Sequence, residues 1–467
     1  MRRFARRATA RLETRVPDNG FTAKGRGVPS GRLSRLGVFG KMAGGVAGGV
    51  VAEGARRLAI GERPQLSDLL LTPANITRVT DQLSHLRGAA MKLGQMISMD
   101  AGDMLPPELA AILGRLRDRA HHMPPPQLQQ VLAKHWGKDW RRRFARFGAT
   151  PIAAASIGQV HKAVTHDGRT LAIKVQYPGV RESIDSDVDN VATLLRMTGM
   201  MPKEIDIAPL LVEAKRQLHE EADYVREGTQ MARFRSLLAD DPGFVVPLLD
   251  EEFTSGQVLA MSFIEGTAIE NLVDAPQEER DRVMTALIRL VLRELFEFGL
   301  MQTDPNFANF RYQRDTGKLV LLDFGATRDV TPKTAAGYRG LLSAGLDGDR
   351  DAVAAAAVVA GFLGDQTLER HPILIRQMID IIIAEMNRPG HFDFGDRAFV
   401  GALKDQGMAI GQDRGAWHMP PIEMLFAQRK ISGTALLAAR LKARVAVREM
   451  VERYHDFGLD QPKPRSP

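Results

Sequence analysis

Two short motifs on either side of one apolar run constrain this chain more than any other feature. Asp304-Pro305-Asn306-Phe307-Ala308-Asn309 sets an asparagine five positions after an aspartate. Leu319-Val320-Leu321-Leu322 then reads as a short buried strand that delivers Asp323-Phe324-Gly325. One carboxylate to sit beside a nucleophile, an amide oxygen and a second carboxylate make a donor set that magnesium accepts together with phosphate oxygens. Asp304 is therefore the candidate for orienting or deprotonating a nucleophile. Asn309 and Asp323 are the candidate magnesium ligands.

The D-x-x-x-x-N spacing followed by D-F-G resembles the catalytic loop and metal-binding segment of protein kinases. Ala172-Ile173-Lys174 resembles the strand lysine that meets ATP phosphates in that fold. A lysine inside an apolar strand needs an anionic partner, and Glu227, in a helix well downstream, is assigned to it. A second Asp393-Phe394-Gly395 follows His391-Phe392 rather than an apolar strand, with no D-x-x-x-x-N loop just upstream. It is read as a chance copy, because a motif outside its structural context carries little weight. The Gly-rich phosphate loop of ordinary kinases is missing, and Ala153-Ala154-Ala155-Ser156-Ile157-Gly158-Gln159-Val160 stands in its place. Alanine permits close approach to a phosphate but lacks glycine's freedom at positive φ, so this loop is expected to be stiffer.

The chain is 44% hydrophobic and 25% charged over 467 residues, which suits a large buried core. It has no cysteine, which excludes disulfides and cysteine-ligated metal centres. The net charge of +7 is concentrated at the N-terminus, where ten arginines and lysines between Arg2 and Arg35 face only Glu13 and Asp18. Such an arm suits a solvated tail, an anionic membrane surface, nucleic acid or an organelle-targeting role. Nothing resembles a dedicated nucleic-acid module, so no nucleic-acid partner is expected. No uninterrupted apolar run reaches the ~20 residues of a membrane-spanning helix. Met42–Ala52, uncharged but too short, reads as a Gly-rich linker, and its small-residue spacing would also allow a homodimer. His121-His122 has no evident third ligand and is not read as a metal site.

Periodicity places a helix at Gln127–Trp136 and a strand pair around the His166-Asp167-Gly168 turn. Helices follow at Ser183–Met197 and Ala208–Leu238, then strands at Phe244–Asp250 and Val258–Phe263, and a hinge at Glu265-Gly266. A long helix covers Arg280–Phe298, and helices fill Pro332–Tyr454. The organisation expected is a basic, Gly-rich leader at 1–60, a helical extension at 61–148, a smaller lobe at 149–265 and a helical lobe at 266–467.

Several unusual motifs occur in one order: Lys92-Leu93-Gly94-Gln95, the Ala-rich loop, Glu221-Ala222-Asp223, Met301-Gln302-Thr303-Asp304-Pro305-Asn306, and Leu322-Asp323-Phe324-Gly325-Ala326-Thr327-Arg328. With them, residues 75 to 455 resemble the UbiB/ADCK (coenzyme-Q-eight) type of atypical protein-kinase-like proteins, in its mitochondrial branch and that branch's bacterial relatives. The resemblance implies an α+β, two-lobed kinase-like fold whose helical N-terminal extension carries K-x-G-Q and covers the cleft. It implies ATP and magnesium as cofactors, with Lys174 and Glu227 joining Asp304 in catalysis. Nucleotide contacts would come from Ala153, Ala154, Ala155, Ser156, Ile157, Gly158, Gln159, Val160, Lys174, Met261 and Phe263. Lys92, Gln95, Glu221 and Asp223 would be regulatory, with Lys92 pairing to Glu221. The implied activity is MgATP hydrolysis supporting ubiquinone biosynthesis, with a membrane lipid or quinone precursor and quinone-biosynthetic enzymes as partners. The alternatives are a kinase for a small molecule or protein, and a nucleotide-gated scaffold. The implied location is peripheral at the inner membrane, on the bacterial cytoplasmic side or the mitochondrial matrix side.

Overall fold

The Asp167-Gly168 turn closes the central hairpin of the smaller lobe. Gly168 adopts φ +88°, a conformation that glycine reaches without steric cost, and folds strand β3 (Gly158–Thr165) back on β4 (Thr170–Gln176). Two short strands, β1 (Phe144–Phe147) and β2 (Ala153–Ala154), pair with β3. This computed structural model describes residues 123–197 and 208–455, apart from Trp417 and Met419. The leader 1–60, Lys92, Gln95 and His121-His122 lie outside the described residues.

Because β1 belongs to this sheet, the lobe begins inside the stretch assigned to the 61–148 extension. Helix α1 (Pro125–Trp136) precedes it, with proline in the first turn, where its missing N–H is not needed. Helix α2 (Val180–Met197) and helix α3 (Ala208–Glu221) follow. The run expected as one helix to Leu238 breaks after α3 and restarts as α4 (Tyr224–Leu237). Asp223 causes the restart: its carboxylate accepts from the Arg226 N–H at 3.1 Å, capping the new helix.

The expected strand Phe244–Asp250 is shorter, only β5 (Phe244–Val245). Pro247 has no N–H to continue a ladder. β5 leaves the smaller lobe altogether and pairs in parallel with a strand of the other lobe. β6 (Val258–Ser262) returns to pair with β4. In the resulting register Val160, Lys174 and Leu259 lie abreast, as do Lys162, Ala172 and Met261. Alternation along each strand puts these residues on one face of the sheet.

The larger lobe opens with β7 (Thr267–Ala268) and α5 (Gln277–Arg293). The helix expected to run regularly to Phe298 instead widens into a π-helical turn, Glu294–Phe298, closed by left-handed Gly299. β8 (Leu300–Gln302), β9 (Phe310–Gln313), β10 (Lys318–Leu321) and β11 (Thr327–Asp329) follow. The order β5-β10-β9-β7 makes one sheet and β8-β11 a separate pair. Beyond them lie α6 (Pro332–Leu346), α7 (Arg350–Val359), α8 (Asp365–Arg370), α9 (Pro372–Met386), α10 (Ala398–Gly411), α11 (Ile422–Leu441) and α12 (Val447–Glu452). The second D-F-G sits in an outlying pair, β12 (Phe392–Asp393) with β13 (Arg444–Val445), where Asp393 accepts from the Arg444 guanidinium at 3.1 Å. The described residues form a two-lobed α+β kinase-like fold whose largest apolar cluster runs from α1 through β4 and α5 to α11.

Gly158 marks where the sheet is tightest. A Cβ there would meet the Val175 carbonyl oxygen at 2.5 Å and the Tyr224 hydroxyl at 2.8 Å, and backbone cannot step aside. Gly158→Ala is expected to destabilise the chain by about 1–3 kcal/mol, read as a lowered urea midpoint.

Candidate active site

Lys174 lies in the middle of β4 and is only 7% exposed. Its ammonium donates to both carboxylate oxygens of Glu227, at 2.8 and 2.9 Å, and to Asp323 Oδ2 at 3.2 Å. Helix α4 supplies Glu227 because the Asp223 cap turns that helix across the sheet. Burial opposes the Lys174 charge more than any other influence. The carboxylates of Asp323 and Glu227 together outweigh it and hold the lysine well above its usual range. Burial likewise pushes the Glu227 carboxyl up, to about 7, against the pull of Lys174. Of the two carboxylates around the ammonium, Glu227 is buried and Asp323 is the more exposed.

Asp323 reaches this cluster from the end of β10. Leu321 pairs with Phe310, and the Leu322 N–H donates to the Asn309 carbonyl at 3.0 Å. The β9–β10 hairpin therefore carries Asn309 and Asp323 off the same end. Asn309 is 8% exposed, and its amide nitrogen donates to the Asp304 carbonyl at 3.3 Å. That leaves the Asn309 amide oxygen as the end available to a ligand. The Asp304 carboxylate accepts from the Asn306 N–H at 3.2 Å. Thr303 fastens the two loops together through its N–H and hydroxyl, both donating to the Ala326 carbonyl. Asp304, Asn309, Asp323, Lys174 and Glu227 thus belong to one connected site.

The segment after Asp323 is tied down by residues that the motifs do not single out. Arg226 donates to the carbonyls of Gly325 and Thr327, at 2.9 and 2.5 Å. Phe324 is buried with its ring 5.1 Å from that of Phe234 on α4. Arg328 pairs with Glu213 and Glu220 of α3, both at 3.1 Å. Glu221, also buried, lies at the same place: a Cβ built on Gly325 would be 3.6 Å from Glu221 Cγ and 3.6 Å from Glu227 Oε2. Asp223 acts through its helix cap. The one signal available for Arg226 was its position beside Glu227.

The Ala-rich segment divides. Ala153 and Ala154 form β2, and Ala155 and Ser156 form the turn into β3, closed by Ala155 N–H donating to the Gly158 carbonyl at 2.9 Å. These and Val160 remain at the cleft side. Three of the assigned nucleotide contacts do not. Ile157 is 1% exposed and packs into the core. Gly158 is needed for its close approach to β4 and Tyr224. The Gln159 side chain turns inward, accepting from the Met123 N–H at 2.7 Å and contacting His161 at 2.8 Å. Alternation along β3 turns Ile157 and Gln159 away from the Val160 face, since neighbours cannot face the same side; Gly158 shares the Val160 face, but the Val175 carbonyl and the Tyr224 hydroxyl close over it. Met261 shares the Lys174 face, and Ala172 joins it there, unassigned from sequence. Phe263 continues that face, covered by the Lys162 ammonium at 4.0 Å from its ring.

Comparison with known proteins places the chain in a family. The ABC1 atypical kinase-like domain matches residues 115–357. Over 429 residues the chain is 37% identical to "Atypical kinase COQ8, mitochondrial" of Saccharomyces cerevisiae, covering 91% of this chain and 85% of that protein. The chain belongs to the ABC1 (UbiB/ADCK-type) atypical kinase-like family. It is 38% identical over 458 residues to "Atypical kinase COQ8B, mitochondrial" of Rattus norvegicus, covering 97% of this chain and 86% of that one. Among solved structures, Rv3197 from Mycobacterium tuberculosis, determined as its complex with erythromycin, aligns with a TM-score of 0.59 and 26% identity. The alignment covers 81% of this chain and 95% of that one. Within this ABC1 chain no described helix is long and apolar enough to cross a membrane.

The raised Glu227 value has a testable sign. The folded state holds that proton more tightly than the unfolded chain, whose carboxyl titrates at its ordinary 4.5. This group's contribution to stability is therefore complete below about 4.5 and is lost as pH rises through about 7. Between those values the wild-type urea midpoint should fall relative to that of Glu227→Gln, which has no such proton to lose. Parallel profiles for the two proteins would contradict the assignment.

Proposed function

We propose that this ABC1-family chain is an atypical kinase-fold ATPase that binds MgATP and supports ubiquinone biosynthesis at a membrane. The observation that carries the reading is the Lys174 ammonium held between Glu227 of one lobe and Asp323 of the other. A pure scaffold has no need to assemble that link together with Asp304 and Asn309.

The residues fit magnesium. An amide oxygen and a carboxylate are the hard donors that ion prefers. Bound there, magnesium would neutralise charge on the transferred phosphoryl group. The chain's own residues supply the rest. Glu227 holds Lys174 extended so that its ammonium can also meet phosphate oxygens. Asp304 orients or deprotonates the attacking water or hydroxyl. Val160, Ala172, Met261 and Phe263 form the apolar face for the base.

Glu221 is buried beside Gly325, and the motif resemblance pairs it with a lysine. We assign that partner to Lys92 of the K-x-G-Q segment, and Gln95 and Asp223 to the same regulatory function. A helix seated there would block peptide access and favour water as acceptor. The link to ubiquinone rests on the motif resemblance and on relatives named COQ8. Their mitochondrial names and the basic leader support a peripheral location at an inner membrane, on the matrix side or its bacterial cytoplasmic equivalent.

Purified protein given MgATP and anionic vesicles carrying a ubiquinone-like lipid should release inorganic phosphate. Asp323→Asn should lower that release by about 100-fold or more, the scale of losing metal-held charge stabilisation. Undiminished release by Asp323→Asn would sink the assignment. Transfer of labelled γ-phosphate to an acceptor would make the chain a kinase.

A further inference from the structure

Behind the catalytic loop lies a buried ion pair that the magnesium and nucleotide residues do not explain. Glu294, in the π-helical turn, is completely buried, and Lys430 of α11 is 2% exposed. They approach to 3.6 Å. Both also grip one residue. Lys430 donates to the Gln302 side-chain oxygen at 2.9 Å, and Glu294 accepts from the Gln302 N–H at 3.2 Å. The Gln302 side-chain nitrogen donates to the Asp304 carbonyl at 2.9 Å. The same carbonyl accepts from Asn309.

We infer that Glu294 and Lys430 are positioning residues, which act through Gln302 to aim the Asp304 carboxylate and the Asn309 amide together. Three observations support this beyond the contacts themselves. First, the amide orientation of Gln302 is fixed, because a lysine can only donate and so selects the oxygen end. The nitrogen end is thereby forced toward Asp304. Second, the pair is poorly suited to a purely stabilising role. Burial pushes Glu294 up to about 7 and draws Lys430 down, so each charge is tolerated mainly because of the other. Apolar side chains of similar volume would serve stability as well or better. Third, Glu294 opens the π-helical turn Glu294–Phe298. π-helical turns of this kind recur at functional sites.

The inference rests on the phosphoryl-transfer reading above, and its test separates the two. ATP turnover and MgATP affinity are measured for wild type, for Gln302→Glu and for the double variant Glu294→Gln/Lys430→Met. Gln302→Glu keeps the oxygen that Lys430 grips and loses the donor to Asp304. The double variant removes both buried charges at once, so it is expected to fold even where either single variant does not. Both should turn over about 10- to 100-fold more slowly while KM for ATP stays within about threefold, the pattern of a misaimed reacting group. Wild-type turnover in either folded variant would overturn the inference. So would an equal loss of affinity and turnover, which marks general loosening. A wild-type chain that releases no phosphate at all would instead defeat the ATPase reading, and this inference with it.

Discussion

A single ammonium group organises this molecule. Lys174 must leave water to occupy β4, and one buried charge without compensation is among the least tolerable features a fold can contain. Its compensation comes from two directions: Glu227 from a helix of the smaller lobe and Asp323 from a loop of the larger. Glu227 supplies a full countercharge from the smaller lobe, and Asp323 ties the larger lobe to the same ammonium. The relation of the lobes is therefore set by a charge balance as well as by apolar contact. The break at Asp223, the cap that follows it and the anchoring of Gly325 and Thr327 by Arg226 all serve to bring those two carboxylates to the same point.

Around that centre the polar interactions act as fasteners between loops that have little regular structure. The Asp304 loop and the Asp323 loop share Thr303 and Ala326, and the short β8–β11 pairing extends the connection. Arg328 extends it to α3, whose Glu213 and Glu220 face it. Hydrogen bonds among partly buried charged groups are stronger than their neutral counterparts. A chain whose catalytic segments are mostly loop can thus hold them in register without long strands.

The sequence displayed the chemistry more plainly than the packing. Asp304, Asn309 and Asp323 were legible because their spacing is tied to an apolar strand, and the Lys174–Glu227 pair because an apolar strand cannot hold a lone lysine. The second D-F-G was set aside on context, and it lies in a peripheral strand pair. What sequence did not show depends on contacts distant along the chain. Nothing local says that Gln159 turns inward to Met123, since that follows from where α1 comes to rest. Nor does the pattern Arg280–Phe298 disclose a π-helical turn, because hydrophobic spacing barely distinguishes one widened turn from a regular one. Lys430 lies 128 residues from Gln302 in the chain. Pro247 could have shortened the strand expected at Phe244–Asp250, since its effect on a ladder is local and known.

The excursion of β5 bears on how the molecule could move. The chain leaves the smaller lobe after α4, pairs Phe244 and Val245 beside β10, returns as β6, and crosses again at Glu265-Gly266. Two bodies joined by one strand of chain swivel freely about a point. Joined by three, they behave more like plates on a common axle, restricted to rotation about the line through the crossings. Entry and exit of a ligand would then proceed by a shallow rocking of the sheet carrying β2 and β3, with the edge farthest from the axle travelling most. The turn at Ala155 and Ser156 is bonded into that sheet by the Ala155 N–H on the Gly158 carbonyl, so it would travel with the lobe as a lip rather than as an independent flap.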